Sequence, residues 1–389
     1  MTRVAVVGAG IAGITAAYYL AKEGFEVTVY EEERYPAMRT SFANGGQVSV
    51  SNSEVWTTWA NVYKGIKWMF TKDAPLLFSP SFEWDKIAWM TKFLLATASN
   101  QYERNTATTI KIGLEARLLY NQIIEEEGIT FDQSNCGILH FYKDKKYFEA
   151  AKKAKNIYER HGVEWDILLP SQVKILAPQL DHNKDIIGGA WTKSDWTGDI
   201  HIFCMKLSEI LKTKYNVKFI HNKKIEHYDQ VSLYDRVIIA NGVGATKLAR
   251  TVGDKLPIYP VKGYSITINT PDGANLPAIS LLDDQAKIVT STLGNRFRVA
   301  GTAELAGKNY DIRRDRIVPL LNWVATNFPD IDSNDYHSWA CLRPMTPDMI
   351  PIVGRSKSNK KVLYHTGHGH LGWTLSPATA KKVAELARK

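Results

Sequence analysis

The sequence predicts a chain of mixed class, α/β plus α+β: a Rossmann-like nucleotide-binding domain with a mixed, mainly antiparallel second domain inserted into it. Three observations carry that prediction. A β-α-β unit with GxGxxG glycines opens the chain between Val4 and Glu31. A second buried strand, Tyr234 to Asn241 and Gly242, runs into a small-residue turn of the same kind. After it come alternating strands with short turns, the pattern of an antiparallel sheet. At 389 residues a single core usually stops growing, so two domains are expected. Residues 1–52, 199–254 and 343–389 are assigned to the nucleotide-binding domain, and 53–198 and 255–342 to the inserted one.

Composition narrows the class. With 44% apolar residues the chain is neither disordered nor collagen-like. Cys136, Cys204 and Cys341 lie far apart, which excludes a disulfide framework and a cysteine zinc site and fits a reducing compartment. Forty-nine Lys and Arg against 40 Asp and Glu give a net charge of +9. That charge is dispersed: the richest stretch, Lys143 to Arg160, is interrupted by Asp144, Glu149 and Glu159, as on a solvated helix face. No nucleic-acid partner is expected from it.

Val4 to Ala21 is uncharged and long enough to resemble a membrane span, but its order argues otherwise. Val4-Ala5-Val6-Val7 suits a strand buried on both faces. Gly8 makes the turn off the strand, Gly10 leaves room for a pyrophosphate, and Gly13 lets helix and strand pack closely. A small-residue helix, Ile14 to Glu23, stops at Gly24, and the next strand ends in Glu31, placed to accept a ribose hydroxyl. The glycines leave FAD and NAD both open. The loop Arg39 to Gln47 reads equally well as a cofactor loop or a surface turn.

Between Glu54 and Leu95 fall Trp56, Trp59, Trp68, Trp84 and Trp89, with Pro75 and Pro80 breaking the run. Such density fits an interfacial belt, a substrate wall or packing between domains. Asn105 to Gly128 predicts a long amphipathic helix, Gly137 to Tyr142 a strand, Tyr147 to Gly162 a helix and Ile187 to Thr197 strand-like structure. Ile202 to Tyr215 is a helix and Val217 to Ile220 the strand after it. Strands follow over Ile258 to Ile268, Ile288 to Thr290 and Arg296 to Ala300.

Two late motifs carry chemistry. Arg343 precedes Pro344 and is held extended, so its planar fork suits a carboxylate; a structural salt bridge to Asp348 is the other reading. Tyr364 to Thr374 gives strand, glycine-rich turn and the start of a helix from Ser376 to Ala387, an anion-stabilising end. His365, His368 and His370 alternate there without a carboxylate neighbour, a poor metal cage, and no metal is expected.

Gly8 to Gly13, the Thr40 to Gln47 loop, Ile66-Lys67-Trp68-Met69-Phe70, Tyr259 to Thr267, Leu342 to Gly354 and Thr366 to Thr374 together resemble the bacterial D-amino-acid dehydrogenases. These belong to the D-amino-acid oxidase and glycine oxidase class of FAD-dependent amine oxidoreductases. The resemblance implies FAD, a fold of D-amino-acid oxidase type, and oxidative deamination of D-amino acids to 2-oxo acids and ammonia. It implies hydride transfer from Cα to flavin N5, with electrons passed to a quinone-type acceptor. By position, Gly8, Gly10, Ile11, Ala12, Gly13, Glu31, Glu32, Arg39, Thr40, Ser41, Gly45, Gly46 and Gln47 would contact the first half of the cofactor site. Ile225 would meet the adenine edge, while Asn241 and Gly242 end a strand facing the cofactor. His368, Gly369, Leu371, Gly372, Trp373 and Thr374 would form the flavin-ring loop. Arg343 would grip the substrate carboxylate, with Tyr264 and His370 lining the pocket; His370 stands where relatives carry a smaller residue. No residue is assigned as catalytic base. An O2-using oxidase of glycine oxidase type is the alternative, and an RNA-acting flavoprotein a more distant one. The expected location is cytoplasmic, with peripheral contact at the inner face of the plasma membrane.

Overall fold

The computed structural model describes residues 1–68, 76–78 and 82–389. Met69, Phe70, Pro75 and Pro80, which entered the sequence reading, lie outside the described residues.

Val4, Ala5 and Val6 are fully buried because the strand Arg3–Val7 sits inside a six-stranded sheet. It pairs in parallel with Glu26–Tyr30 on one side and Arg236–Ile239 on the other. Lys218–Ile220 and Val362–Thr366 extend the parallel run, and Ile352–Arg355 closes one edge antiparallel. The first helix is Ile11–Lys22, starting three residues before the expected Ile14, directly after Gly10. Its small face (Ala16, Ala17) packs in one core with Ala380, Ala384 and Ala387 of the last helix, Gly372–Arg388. That helix also begins earlier than Ser376. It includes Pro377, which has no N–H to offer the carbonyl of Trp373, and the buried Tyr120 hydroxyl donates to that carbonyl at 2.6 Å instead. Tyr120 belongs to the long helix Tyr102–Glu127, which ends at Gly128 in the left-handed conformation.

The second sheet is mixed and mainly antiparallel. Its longest strand, Tyr259–Asn269, lies one in from an edge and pairs antiparallel with both the edge strand Tyr336–Met345 and Arg296–Leu305. Strands Ile288–Leu293, Ser280–Asp283, Ile138–Tyr142, Gly188–Thr192 and Asp166–Leu168 continue it. Pairing of Tyr336–Met345 continues through Met345 opposite Tyr259, so Arg343 stands on this sheet, inside a strand that crosses the expected boundary at 343. Helix Arg314–Asn327 covers one face, where Ile317, Leu320 and Val324 pack with Ile266, Ile268 and Val299. The other face carries Ser265 and Ser291, whose hydroxyls hold the Ala43 and Gly45 carbonyls of the 39–47 loop.

The stretch Ile187 to Thr197 divides in two. Gly188–Thr192 joins the large sheet, whereas Trp196–Thr197 pairs with Gln47–Val48. That small pair ties the Arg39–Gln47 loop into the body of the molecule.

Candidate active site

The glycines of the first turn are where close approach requires them. Gly8 has φ +100°, and a Cβ there would lie 2.8 Å from the Asn241 Cα. A Cβ on Gly13 would overlap the Gly8 carbonyl oxygen. The helix starting at Ile11 has no side-chain cap on its N-cap residue, Gly10; the Ile11 N–H donates to Ser41 Oγ at 3.1 Å. Its positive dipole end therefore faces the space bounded by Gly8, Ser41 and Asn241. The Asn241 side-chain oxygen is buried without a hydrogen-bond donor, a group that awaits a ligand. Glu31 accepts from the Ala9 and Glu33 N–H groups at 2.6 and 2.9 Å, while burial pushes its carboxyl pKa up. Ile225 is buried beside Val7 and Ile239, just past the Lys223 N–H that donates to the Glu31 carbonyl. Glu32 and Arg39 are brought together as an ion pair at 3.6 Å, and Arg39 lies over the Tyr310 ring at 4.8 Å.

The loop from Arg39 to Gln47 is no surface turn; it is stitched to the large sheet. Thr40 donates to the Leu342 carbonyl at 2.9 Å, Ser265 to the Ala43 carbonyl at 2.7 Å and Ser291 to the Gly45 carbonyl at 2.6 Å. The Gly46 carbonyl accepts from the Gly198 N–H and, at 3.3 Å, from Trp373 Nε1. Gln47 donates to Ser280 Oγ at 2.7 Å. Thr374 completes the join by accepting from the Ser49 N–H at 3.2 Å. The first glycine-rich turn, this loop and the 368–374 turn thus meet between the two sheets. Gly242, at φ +57°, has its carbonyl held by the Thr366 hydroxyl at 3.1 Å.

His365 and His368 hold the last strand to the last helix. The His365 Nδ1–H donates to the Ala12 carbonyl at 3.0 Å, and both rings reach Thr379 Oγ1, at 2.8 and 3.0 Å. Burial lowers the His365 pKa well below its usual value and brings those of His368 and His370 to about 4. An unfolded histidine binds its proton near pH 6.5, so below that pH the unfolded chain takes up more protons than the folded one. Stability is therefore full above about pH 6.5 and lost as pH falls toward 4, by about 3 kcal/mol for His368 alone. Thermal melts between pH 7 and 4.5 should show Tm falling over that window; a flat Tm down to pH 5 would contradict neutral burial.

Arg343 projects from the strand position opposite Val261, on the face shared with Gly263 and Cys341. Its Nη1 donates to the Thr302 carbonyl at 3.0 Å. Thr302 is a left-handed residue (φ +58°) where the strand Arg296–Leu305 is out of register with its neighbour, and that irregularity turns its carbonyl toward the guanidinium. Among the described residues Arg343 has no carboxylate partner. Asp348 does not reach it and instead accepts from the Ile350 N–H at 3.2 Å. Burial lowers the Arg343 pKa to about 10. Within electrostatic reach of it, His370 stacks on Trp56 with ring centroids 4.8 Å apart, its ring nitrogens buried and turned to the Asn52 backbone. A buried guanidinium whose described contacts include no anion has the chemistry that suits a carboxylate.

The structure does not bring Tyr264 to this site. The position lies on the opposite face of the sheet from Arg343, in the core under helix Arg314–Asn327, and its hydroxyl donates to Glu304 Oε2 at 2.5 Å. Gly263 takes a role that Tyr264 does not: a Cβ there would overlap the Arg343 guanidinium. Gly263→Ala should therefore displace the guanidinium and lower kcat/KM for carboxylate substrates by about 100-fold. Steady-state kinetics check this, and a wild-type value would refute it. Sequence reading also missed Asp195, whose buried carboxylate holds the Val50 and Ser51 N–H groups at 3.0 and 2.9 Å and pairs with Arg117. Lying next to Trp196 in a strand-like stretch, it gave no local signal.

The family model for FAD dependent oxidoreductase matches residues 3–386. The chain belongs to this family. FAD is its cofactor, and the cradle of Gly8, Gly10 and Gly13, the open helix end and the unsatisfied Asn241 oxygen fit that group. This oxidoreductase is 44% identical to D-amino acid dehydrogenase 3 of Mesorhizobium japonicum, over 99% of this chain and 97% of the relative. It is 37% identical to a D-amino acid dehydrogenase of Paramagnetospirillum magneticum, over 99% and 94% of the two chains. Among solved structures it resembles glycine oxidase from Geobacillus kaustophilus, with TM-score 0.77 and 19% identity over 100% and 95% of the two chains. L-proline dehydrogenase from P. horikoshii is similar in fold at TM-score 0.75 and 16% identity, over 99% and 92%. The expected fold, with its Rossmann-like domain and inserted mixed sheet, is the one these structures share.

Proposed function

We propose that this flavoprotein oxidises α-amino acids, of the D series, to imino acids that water hydrolyses to 2-oxo acids and ammonia. The observation that carries the proposal is Arg343, a buried guanidinium with one carbonyl contact and no counter-ion among the described residues. The names of the two dehydrogenases above supply the D hand. Bound FAD supplies the two-electron acceptor. The residues that would hold it are Gly8 to Gly13, Glu31, Arg39 to Ser41, Gly45 to Gln47, Ile225, Asn241, Gly242 and His368 to Thr374. Arg343 fixes the substrate carboxylate and so orients the Cα–H bond, converting encounter into a positioned step. His370, neutral at physiological pH, adds no second cation to repel the substrate amino group. Anaerobic bleaching of the yellow protein by a panel of D- and L-amino acids tests the reading. Bleaching by D-amino acids supports it, and bleaching by none of the panel overturns it.

The acceptor in this reading is a quinone reached at a membrane surface. Helices Trp59–Trp68 and Trp84–Ala98 expose Trp59, Tyr63, Ile66, Trp84 and Leu95, with Trp84 75% exposed. An aromatic face of that kind supports interfacial contact. Among the described residues no helix is long and apolar enough to cross a membrane. Flotation with anionic liposomes tests the contact. Reduction of a soluble quinone, set against peroxide yield in air, tests the acceptor.

A further inference from the structure

Arg343 does not aim itself. Its guanidinium lies over Gly263 of the neighbouring strand, whose missing Cβ leaves it room. It reaches the Thr302 carbonyl, one strand farther on, at 3.0 Å. Thr302 belongs to a bulge. Lys262 pairs with Glu304 and Tyr264 with Gly301, so Thr302 and Ala303 together oppose the single residue Gly263. At φ +58° a β-branched residue is strained, and such a conformation persists only where its surroundings hold it.

What holds it lies on the other face of the sheet. Glu304, two residues past Thr302, places its carboxylate among three donors. Oε2 accepts from the Tyr264 hydroxyl at 2.5 Å and stands 3.5 Å from Lys262 Nζ. Oε1 accepts from Arg313 Nη1 at 3.1 Å. Lys262 also donates to the Asn309 side-chain oxygen at 2.9 Å and to the Asp311 carbonyl at 3.1 Å. Glu304 and Tyr264 are 2% exposed and Lys262 1%, so the set is buried and each member has partners. Burial and the bond to Glu304 push the Tyr264 phenol pKa up, which keeps it a donor.

The bulge is therefore gripped from both faces, by Arg343 at the Thr302 carbonyl and by this set at the Glu304 carboxylate. Packing alone does not call for the set. Ile266, Ile268 and Val299 close the adjoining part of the face with apolar contacts, and a buried ion pair is seldom more stabilising than such residues. What a fully satisfied buried network adds is a single arrangement of the backbone that carries it.

We propose that Glu304, held by Lys262 and Tyr264, is a positioning residue for amino-acid oxidation: it sets the bulge whose Thr302 carbonyl fixes the Arg343 guanidinium for the substrate carboxylate. The proposal rests on the amino-acid reading above and adds to it residues that never touch the substrate.

A double-mutant cycle on the holoenzyme tests it, with kcat/KM for whichever amino acid bleaches the flavin. Glu304→Gln keeps the side chain's size but sets amide hydrogens against the donors around it. It should lower kcat/KM by about 10- to 100-fold, the cost of a misplaced guanidinium, with FAD still bound. In an Arg343→Ala background the same substitution should cost less than about twofold, because the group it positions is gone. A role confined to stability would give equal losses in both backgrounds. Tyr264→Phe removes one hydroxyl donor to Glu304 and should give a smaller loss that likewise disappears without Arg343. It decides the matter where Glu304→Gln does not fold, which flavin absorbance reports. Wild-type kcat/KM in the folded variant, or equal losses with and without Arg343, would overturn the positioning role and leave the amino-acid reading standing. Failure of every amino acid of either hand to bleach the flavin would overturn that reading, and the positioning role with it.

Discussion

Arg343→Ala should lower kcat/KM for amino-acid substrates by about 30-fold to about 4,000-fold, the equivalent of about 2–5 kcal/mol for stranding a buried charge. The range follows from the environment. The guanidinium is enclosed, its one described hydrogen-bond acceptor is the Thr302 carbonyl, and it lies against Gly263. The substrate carboxylate would be its counter-ion, so removing the arginine leaves that carboxylate desolvated and unpaired. Arg343→Lys should fall between wild type and alanine, because a point charge restores attraction but not the two-pronged grip that orients Cα. The split between constants is informative: a pure loss of binding raises KM, whereas a loss of orientation also lowers kcat. The flavin spectrum should be retained in both variants, since Arg343 stands on the large sheet and the nucleotide cradle on the parallel one. An Arg343→Ala enzyme with wild-type kcat/KM would remove the assigned role.

What was legible in the sequence was what neighbouring residues decide. Gly8, Gly10, Gly13 and Glu31 announced their unit because each answers a backbone or steric demand met within one β-α-β turn. Arg343 was legible as an extended arginine because Pro344 follows it. Whether it would pair with Asp348 was not, since that depends on Asp348 closing its own turn onto the Ile350 N–H. The loop Arg39 to Gln47 stayed divided between two readings because the bonds that fix it come from Ser265, Ser280 and Ser291, far along the chain. Tyr264 failed as a pocket residue for a related reason. Alternation tells that residues 263 and 264 face opposite ways, but only the pairing of Val261 with Arg343 tells which of them faces the cleft.

Gly13→Ala should yield a protein without bound FAD, colourless on purification, with a lowered Tm. The added methyl would overlap the Gly8 carbonyl oxygen and lie 2.8 Å from the Gly8 carbonyl carbon. Neither partner has room to retreat. The Gly8 N–H is tied to the Tyr30 carbonyl at 2.8 Å, and Gly8 itself abuts the Asn241 backbone. The helix on which Gly13 sits is pressed against the sheet by the alanine face of the last helix. Relief must come from moving the helix off the strand, and that carries away the helix end, with the Ile11 N–H, that would face the pyrophosphate. Gly24→Ala is the matched control. Gly24 is left-handed at φ +81°, but nothing lies within 4 Å of the position its Cβ would take. The substitution strains only the backbone, by about 1–2 kcal/mol, and should lower Tm while leaving the flavin bound. The ratio of absorbance at 450 nm to that at 280 nm separates the two outcomes. A yellow Gly13→Ala protein with stoichiometric FAD would mean that helix and strand are not held at the separation described here, and the cradle built on that contact would have to be abandoned.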